Sequence, residues 1–293
     1  MAENVIKPSK KRKTYEDRKD RLTFGRVFVM CILFLGAIIV LIPLVWTICM
    51  SLKPDGEMYN GLFFPQSPDI SNYAKALTSI DFFRYLGNTL IIVIPNVIGT
   101  TMTSALVAYG FSRFNFKGKR IWFLILLSTM MLPGQITMIP QFLMFRAFGW
   151  VNTPLPLIIP AFFGGGAFNI FLIRQFMGGI PKDFDEAAKI DGASSWRTFS
   201  HIIMPMCKPA ITAVGIFTFM GCWNDFQGPL IYLTSSTKFT LSIGLSFFKG
   251  MYTSHWNLLM AATVMVMLPI LVLFFIAQDY IIDGISISSG TKG

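Results

Sequence analysis

Long apolar runs alternate with short polar segments along almost the whole chain, and the runs share one characteristic length. A helix rising about 1.5 Å per residue needs roughly 20 apolar residues to cross a bilayer. Six runs come near that length, at residues 27–50, 89–111, 121–139, 155–176, 209–232 and 258–282. None alternates apolar and polar positions as a half-buried strand does, so the pattern predicts helices. The expected fold is all-α, a polytopic membrane protein with six transmembrane helices. The fifth run gives the weakest signal, because Trp223, Asn224 and Asp225 interrupt it. The first run follows basic residues, as a secretory signal would. It is too long for one and no small-residue cleavage site follows, so a retained span is expected.

One polar segment breaks this rhythm. Residues 177–208, between the fourth and fifth runs, are too polar to cross a bilayer and too long for a simple turn. Pro181 suits a first helical turn, and Asp183, Asp185 and Glu186 set negative charge at the positive end of a helix dipole. Ala187 and Ala188 follow, with high helix propensity and almost no bulk. Gly192 supplies a stop, since glycine takes the left-handed conformation without steric cost. Ser194 or Ser195 is placed to cap a second short helix running through Trp196 and Phe199 to Pro205. The prediction is a helix, a tight turn and a helix, with a small-residue face that another protein can approach closely. A helix lying flat on the bilayer is the plainer alternative, and acids clustered beside alanines fit it poorly.

Composition narrows the class further. Apolar residues make up 53% and charged residues 14%, with a mean hydropathy of +0.58, which excludes an ordinary soluble domain. The net charge of +10 is unevenly placed. A basic arm, residues 1–26, precedes the first run; Arg113, Lys117, Lys119 and Arg120 lie between the second and third; Lys182, Lys189, Arg197 and Lys208 lie in the polar segment. The alternate segments hold only scattered cations such as Lys53, Lys75, Arg84, Arg146, Lys238 and Lys249. By the positive-inside rule both termini and the 177–208 segment are cytoplasmic. The basic arm abuts a span, where anionic headgroups explain it. It lacks the interleaved aromatics that single-stranded nucleic acid would need, so no nucleic-acid partner is expected. Cys31, Cys49, Cys207 and Cys222 have no metal-ligand spacing, and neither a metal site nor a disulfide framework is expected. No nucleotide phosphate loop and no nucleophile elbow occurs, so no catalytic residue is expected and the chain is not read as an enzyme.

The segment EAAKIDGASSWRTFSHIIMP, residues 186–205, resembles the signature loop of permease subunits of binding-protein-dependent ABC importers. That loop usually carries Leu before its last Pro, where this chain has Met204. SLKP after the first run, ALVAYGFSRFNFKGK after the second, MLPGQITMIPQFLMFRAFGWVNTPLPLIIP after the third, IFTFMGCWNDFQGPLIY in the fifth and the final ISISSGTKG extend the likeness. The chain from about Arg26 onward looks like the second permease of maltose-type sugar importers. The resemblance implies the type I ABC importer permease fold over residues 27–293, in a bacterial plasma membrane. It implies a second homologous permease as heterodimer partner, an extracytoplasmic solute-binding protein, and two cytoplasmic ATPase subunits that hold the ATP and Mg; this chain holds no cofactor. Asp185, Glu186, Ala187, Ala188, Asp191, Gly192 and Ala193 are then the ATPase-coupling residues.

A path for substrate is less marked. Asn96, Asn169, Trp223, Asn224 and Asp225 are candidates, because amides and a Trp face suit sugar hydroxyls and ring faces. Hydrogen bonding between helices and interfacial anchoring are the plainer roles for the same residues. Gly164, Gly165 and Gly166 serve either a bend or close packing. The implied substrate is an oligosaccharide, and Arg84, Lys238, Lys249 and His255 leave an acidic, uronate-type one open. The rival is a stand-alone ion-coupled sugar transporter, which normally needs ionisable groups at depth; the runs hold almost none.

Overall fold

A computed structural model describes residues 24–250 and 255–289, with side chains for residues 25, 27–250 and 255–278. The expected basic arm lies outside these except for its last three residues, which already belong to the first helix. Helices α1 (Phe24–Ser51), α2 (Ser71–Ser79) and α3 (Phe82–Arg113) come first, then α4 (Lys119–Ser128), α5 (Gly134–Ala147), α6 (Leu155–Ile158) and α7 (Ala167–Gly178). The polar segment holds α8 (Asp183–Ile190), α9 (Ser195–Thr198) and α10 (Met204–Met206). They are followed by α11 (Lys208–Trp223), α12 (Gln227–Tyr232), α13 (Leu241–Ser246) and α14 (Trp256–Ser289).

Four stretches are long and apolar enough to cross a membrane unaided: Val27–Ser51, Phe82–Arg113, Leu155–Gly178 and Trp256–Gln278. Two helix pairs pass the same test only together, each a broken span or a re-entrant loop: Lys119–Met131 with Gly134–Ala147, bent by 97°, and Ser195–Met206 with Lys208–Trp223, bent by 77°. Counted as one span each, the two bent pairs bring the number to the six expected. Pro133 lacks an N–H and drives Leu132 to extended backbone (φ −83°, ψ 116°), so the third span stops, restarts and runs on to Ala147. In the fifth, α11 ends at Trp223, and Asp225 Oδ1 accepts the Gly228 N–H at 3.0 Å as the helix restarts. The second helix of the polar segment ends at Met206, one residue past the expected Pro205, and α11 starts after a 77° bend at Cys207.

The fourth span unwinds where Gly164, Gly165 and Gly166 take φ of 97°, 66° and 93°. The open choice between bend and packing resolves into both. A Cβ on Gly165 would collide with Ser104 Oγ and lie 2.6 Å from the Thr100 carbonyl, so this glycine lets the span approach α3. Its two neighbours have open surroundings and serve the bend.

Helix α3 is the spine. It packs on α7, α11 and α13, with an inner cluster of Ala105, Ala108, Tyr109, Ile173, Met177 and Ile203 and an outer one of Phe82, Tyr85, Val93, Trp223 and Leu241. Helix α1 packs on α14 and leaves most of its length exposed, as a lipid-facing helix does.

Hydrogen bonds sort the connecting segments to two ends of this bundle. Asn152 binds the segment after α12, Asn88 binds Thr237 O and Phe239 O, and Asn72 binds Ser51 O and Lys53 O. At the other end Arg113 binds Ile180 O and Tyr109 binds Ser195 O. The two basic segments found by sequence, around residues 114–120 and 177–208, therefore share one end.

Candidate functional site: the polar loop and the broken spans

Local geometry builds the loop as a helix, a turn and a helix. Asp183, Asp185 and Glu186 occupy the first turn of α8, and Lys189 the last. Gly192 has φ 74°, its N–H donates to Lys189 O at 3.1 Å, and the Ala193 N–H donates to Ala188 O at 2.9 Å. This paired closure is the Schellman arrangement, which needs a residue at positive φ where Gly192 stands. A Cβ at Gly192 would meet nothing within 4 Å, so only backbone strain selects glycine there. Of the two serines offered as caps, Ser194 is the one used: its Oγ accepts the Arg197 N–H at 3.3 Å.

The two sides of α8 differ in what they touch. Phe184, Ala187 and Ile190, spaced by three, form one stripe that faces away from the protein. Phe184 is 45% exposed, Ile190 87%, and Trp196 on α9 63%. Glu186 and Asp191 are exposed beside that stripe, and Ala193 is half-buried. Ala188, at 3% exposure, is packed against the chain's own fold. Asp185 also points inward, with Oδ2 3.2 Å from Arg113 Nε. Sequence reasoning missed Phe184, Ile190 and Trp196; three bulky apolar residues in a polar segment were the available signal.

Each of the five pathway candidates is hydrogen-bonded within the chain's own fold. Asn96 is buried and donates to Ile92 O and to Leu157 O, both at 2.8 Å, which ties α3 to α6. Asn169 donates to Gly165 O at 2.8 Å in the first turn of α7. Trp223 is 2% exposed, stacks on Phe219 at 5.2 Å between ring centroids and donates Nε1–H to Val266 O. Asn224 donates to Met220 O and Asp225 caps the restart of the helix. Trp223 and Asn224 do share the wall of a cavity of about 570 Å³ with Ser242, Lys249 and Thr263. That cavity opens between α1, α11, α13 and α14, beside the span with the most exposed apolar surface.

Other exposed amides lie on the helices that flank the breaks. Gln135 and Gln141 on α5, Asn224 at the end of α11 and Gln227 on α12 are all exposed, and Gln227 Nε2 lies 3.3 Å from Met138 Sδ. Such groups are costly against hydrocarbon, so each is expected to be covered by protein or to meet water.

The cations at the opposite end from the loop are largely engaged. Lys75 pairs with Asp69 and Arg84 with Asp81, each at 3.1 Å, while Lys238 donates to Asn152 O. The Ser71 hydroxyl and the Lys75 ammonium hold the Asp69 carboxyl below its usual range.

Residues 100–287 match the family described as "Binding-protein-dependent transport system inner membrane component". The chain is 32% identical over 263 residues to a diacetylchitobiose uptake permease of Streptomyces coelicolor, covering 89% of this chain and 86% of that one. It is 33% identical over 288 residues to an arabinooligosaccharide transport permease of Halalkalibacterium halodurans, covering 97% and 100%. A trehalose/maltose transport permease of Thermococcus litoralis is 30% identical over 265 residues, covering 89% and 95%. Among solved structures, a chain of a bacterial ABC transporter involved in import of the acidic polysaccharide alginate superposes with a TM-score of 0.77 at 25% identity. That superposition covers 90% of this chain and 98% of the other. The helical fold with its crossings and bent pairs, the loop and these relatives agree: the chain belongs to the binding-protein-dependent inner-membrane transport family and is a permease subunit of a sugar ABC importer.

Proposed function

We propose that this subunit imports an oligosaccharide by alternating access, driven by ATP hydrolysis on separate ATPase subunits and received through the loop between its fourth and fifth spans. The carrying observation is the stripe of Phe184, Ala187 and Ile190, closed by the Gly192 turn and unpartnered by the chain's own fold. The chain has no phosphate loop, so ATP and Mg belong to two partner subunits. The bias of positive charge sets the loop end in the cytoplasm, with both termini, where those subunits reach it. A second, homologous permease covers the amide face of the broken spans, and a solute-binding protein delivers sugar at the opposite end. Closure of the ATPase subunits on ATP carries the seated loop with it, the spans rock, and the path opens outward; hydrolysis reverses the motion.

For the substrate, the exposed Gln135, Gln141, Asn224 and Gln227 support recognition of hydroxyl groups, as do relatives named for neutral oligosaccharides. An acidic saccharide, the cargo of the alginate importer, would need countercharge. Lys75, Arg84 and Lys238 are already engaged, so a neutral oligosaccharide is the better-supported reading.

Reconstitution tests the scheme. This subunit alone in liposomes is expected neither to hydrolyse ATP nor to accumulate sugar. Adding the ATPase, the second permease and the binding protein should establish both activities. Uptake by this chain alone on an ion gradient would overturn the proposal in favour of the secondary-transporter reading.

A further inference from the structure

Both helices of the loop are held by one element, α3. Arg113, in its last turn, donates through Nη1 and Nη2 to Ile180 O, each at 3.1 Å, and sets Nε 3.2 Å from Asp185 Oδ2. The two side chains are only 7% and 23% exposed, so the pair is poorly screened. One turn earlier Tyr109 donates its hydroxyl to Ser195 O at 3.3 Å and packs its ring 5.0 Å from that of Phe199. The grip straddles the Gly192 turn, with Asp185 before it and Ser195 after it.

The same helix grips a second unit at its far end. Asn88 Nδ2 donates to Thr237 O and Phe239 O, both at 2.9 Å, and Thr89 Oγ1 accepts the Leu241 N–H at 3.0 Å. The segment it holds is itself knotted together by Asn152, whose φ of 62° is unusual for a residue other than glycine. Asn152 donates its N–H to Tyr232 O and its Nδ2 to Ser235 Oγ. Its Oδ1 accepts from the Thr234 and Ser235 N–H groups, and its carbonyl accepts from Lys238 Nζ. A strained backbone fixed by this many bonds marks a rigid unit, and that unit joins the segments that follow the third and fifth spans.

We infer that α3 is the rod that carries displacement of the coupling loop to this far unit, with Arg113 and Asn88 as the positioning residues at its two ends. The inference rests on the coupling role proposed above. From Asn88 to Arg113 the helix extends about 38 Å, as 25 residues at about 1.5 Å each. About a third of the way along from Asn88, Asn96 ties the rod to Leu157 O on the fourth span, so motion of α3 also carries one wall of the bundle. Spatial continuity alone does not establish a route; energetic coupling between the two ends does.

The experiment uses the complete complex of both permeases, ATPase and binding protein in proteoliposomes, and reads sugar imported per ATP hydrolysed. Asn88→Asp keeps size but removes the donated bonds, while Arg113→Lys keeps charge but loses the planar fork. The Asn88→Asp complex is expected to retain its ATPase subunits and its basal hydrolysis, with sugar per ATP falling about fivefold or more, the range of a real coupling energy. Arg113→Lys should lower the same ratio, with Asp185→Asn reporting on the same grip if the lysine variant assembles poorly. Two lesions in one rod are not independent, so the double variant should be no worse than the weaker single one. Wild-type yield per ATP in the single variants, or a double variant whose loss is the product of the two, overturns the route through α3. Sugar uptake by the wild-type complex without ATP overturns the coupling reading instead.

Discussion

Ala187 and Ala188 are equivalent as sequence and opposite as structure. Ala187 is exposed in the outward stripe of α8, whereas Ala188 is 3% exposed and lies against the chain's own fold. A helix propensity does not distinguish them; only tertiary packing says which side of the helix turns inward. Gly192 was legible because its cause is local: a Schellman closure demands positive φ, and φ is 74°. Arg113 was not, since its partners Ile180 and Asp185 lie far along the chain. The distinction predicts two phenotypes. Ile190→Asp removes an apolar contact from a side chain that is 87% exposed, so membrane levels should be normal. Capture of the ATPase subunit should fall by about 2 kcal/mol, roughly thirtyfold, as expected of an interface hot spot. Ala188→Asp buries an unpaired charge in the loop itself, so it should lower the thermal midpoint as well as capture. Pull-down of the ATPase alongside a melting curve separates the two, and equal melting losses would contradict the assignment of faces.

At the level of elements, hydropathy marked all four long apolar helices and both bent pairs, but it carries no signal for the bends. Counting apolar residues registers Leu132 and Pro133 as two more apolar positions, while the backbone registers them as a stop. The 97° bend between Lys119–Met131 and Gly134–Ala147 follows from a single missing N–H and the restricted residue before it. Gln135 and Gln227 are exposed polar positions on helices that flank the two breaks. Gln135→Leu with Gln227→Leu should therefore cut uptake severalfold while leaving ATPase capture unchanged, as measured by initial uptake rates against pull-down. Unchanged uptake would return these residues to a packing role. Gly165→Val should act differently, on stability: overpacking against Ser104 and Thr100 costs about 1–3 kcal/mol and should appear as a lower melting temperature.

The whole molecule presents a coupling surface at one end and a knotted, hydrogen-bonded unit at the other, with α3 between them. Two basic segments share the loop end, and the positive-inside rule predicts that this end is cytoplasmic. In a background with the four native cysteines replaced by alanine, Lys117→Cys and Lys189→Cys should resist a membrane-impermeant reagent in intact cells. Lys75→Cys and Lys249→Cys should react. Labelling at position 189 from outside would remove the loop from any cytosolic ATPase. The most direct measurement of the central claim is ATP-driven accumulation of labelled sugar by the complete complex carrying Gly192→Val. Valine at φ 74° strains the turn by about 1–2 kcal/mol or reshapes it, and either outcome re-aims α8 while the spans remain free to insert. The expected result is a normal level of protein in the membrane, weakened capture of the ATPase and no accumulation. Accumulation at the wild-type rate with the ATPase fully bound would contradict the account.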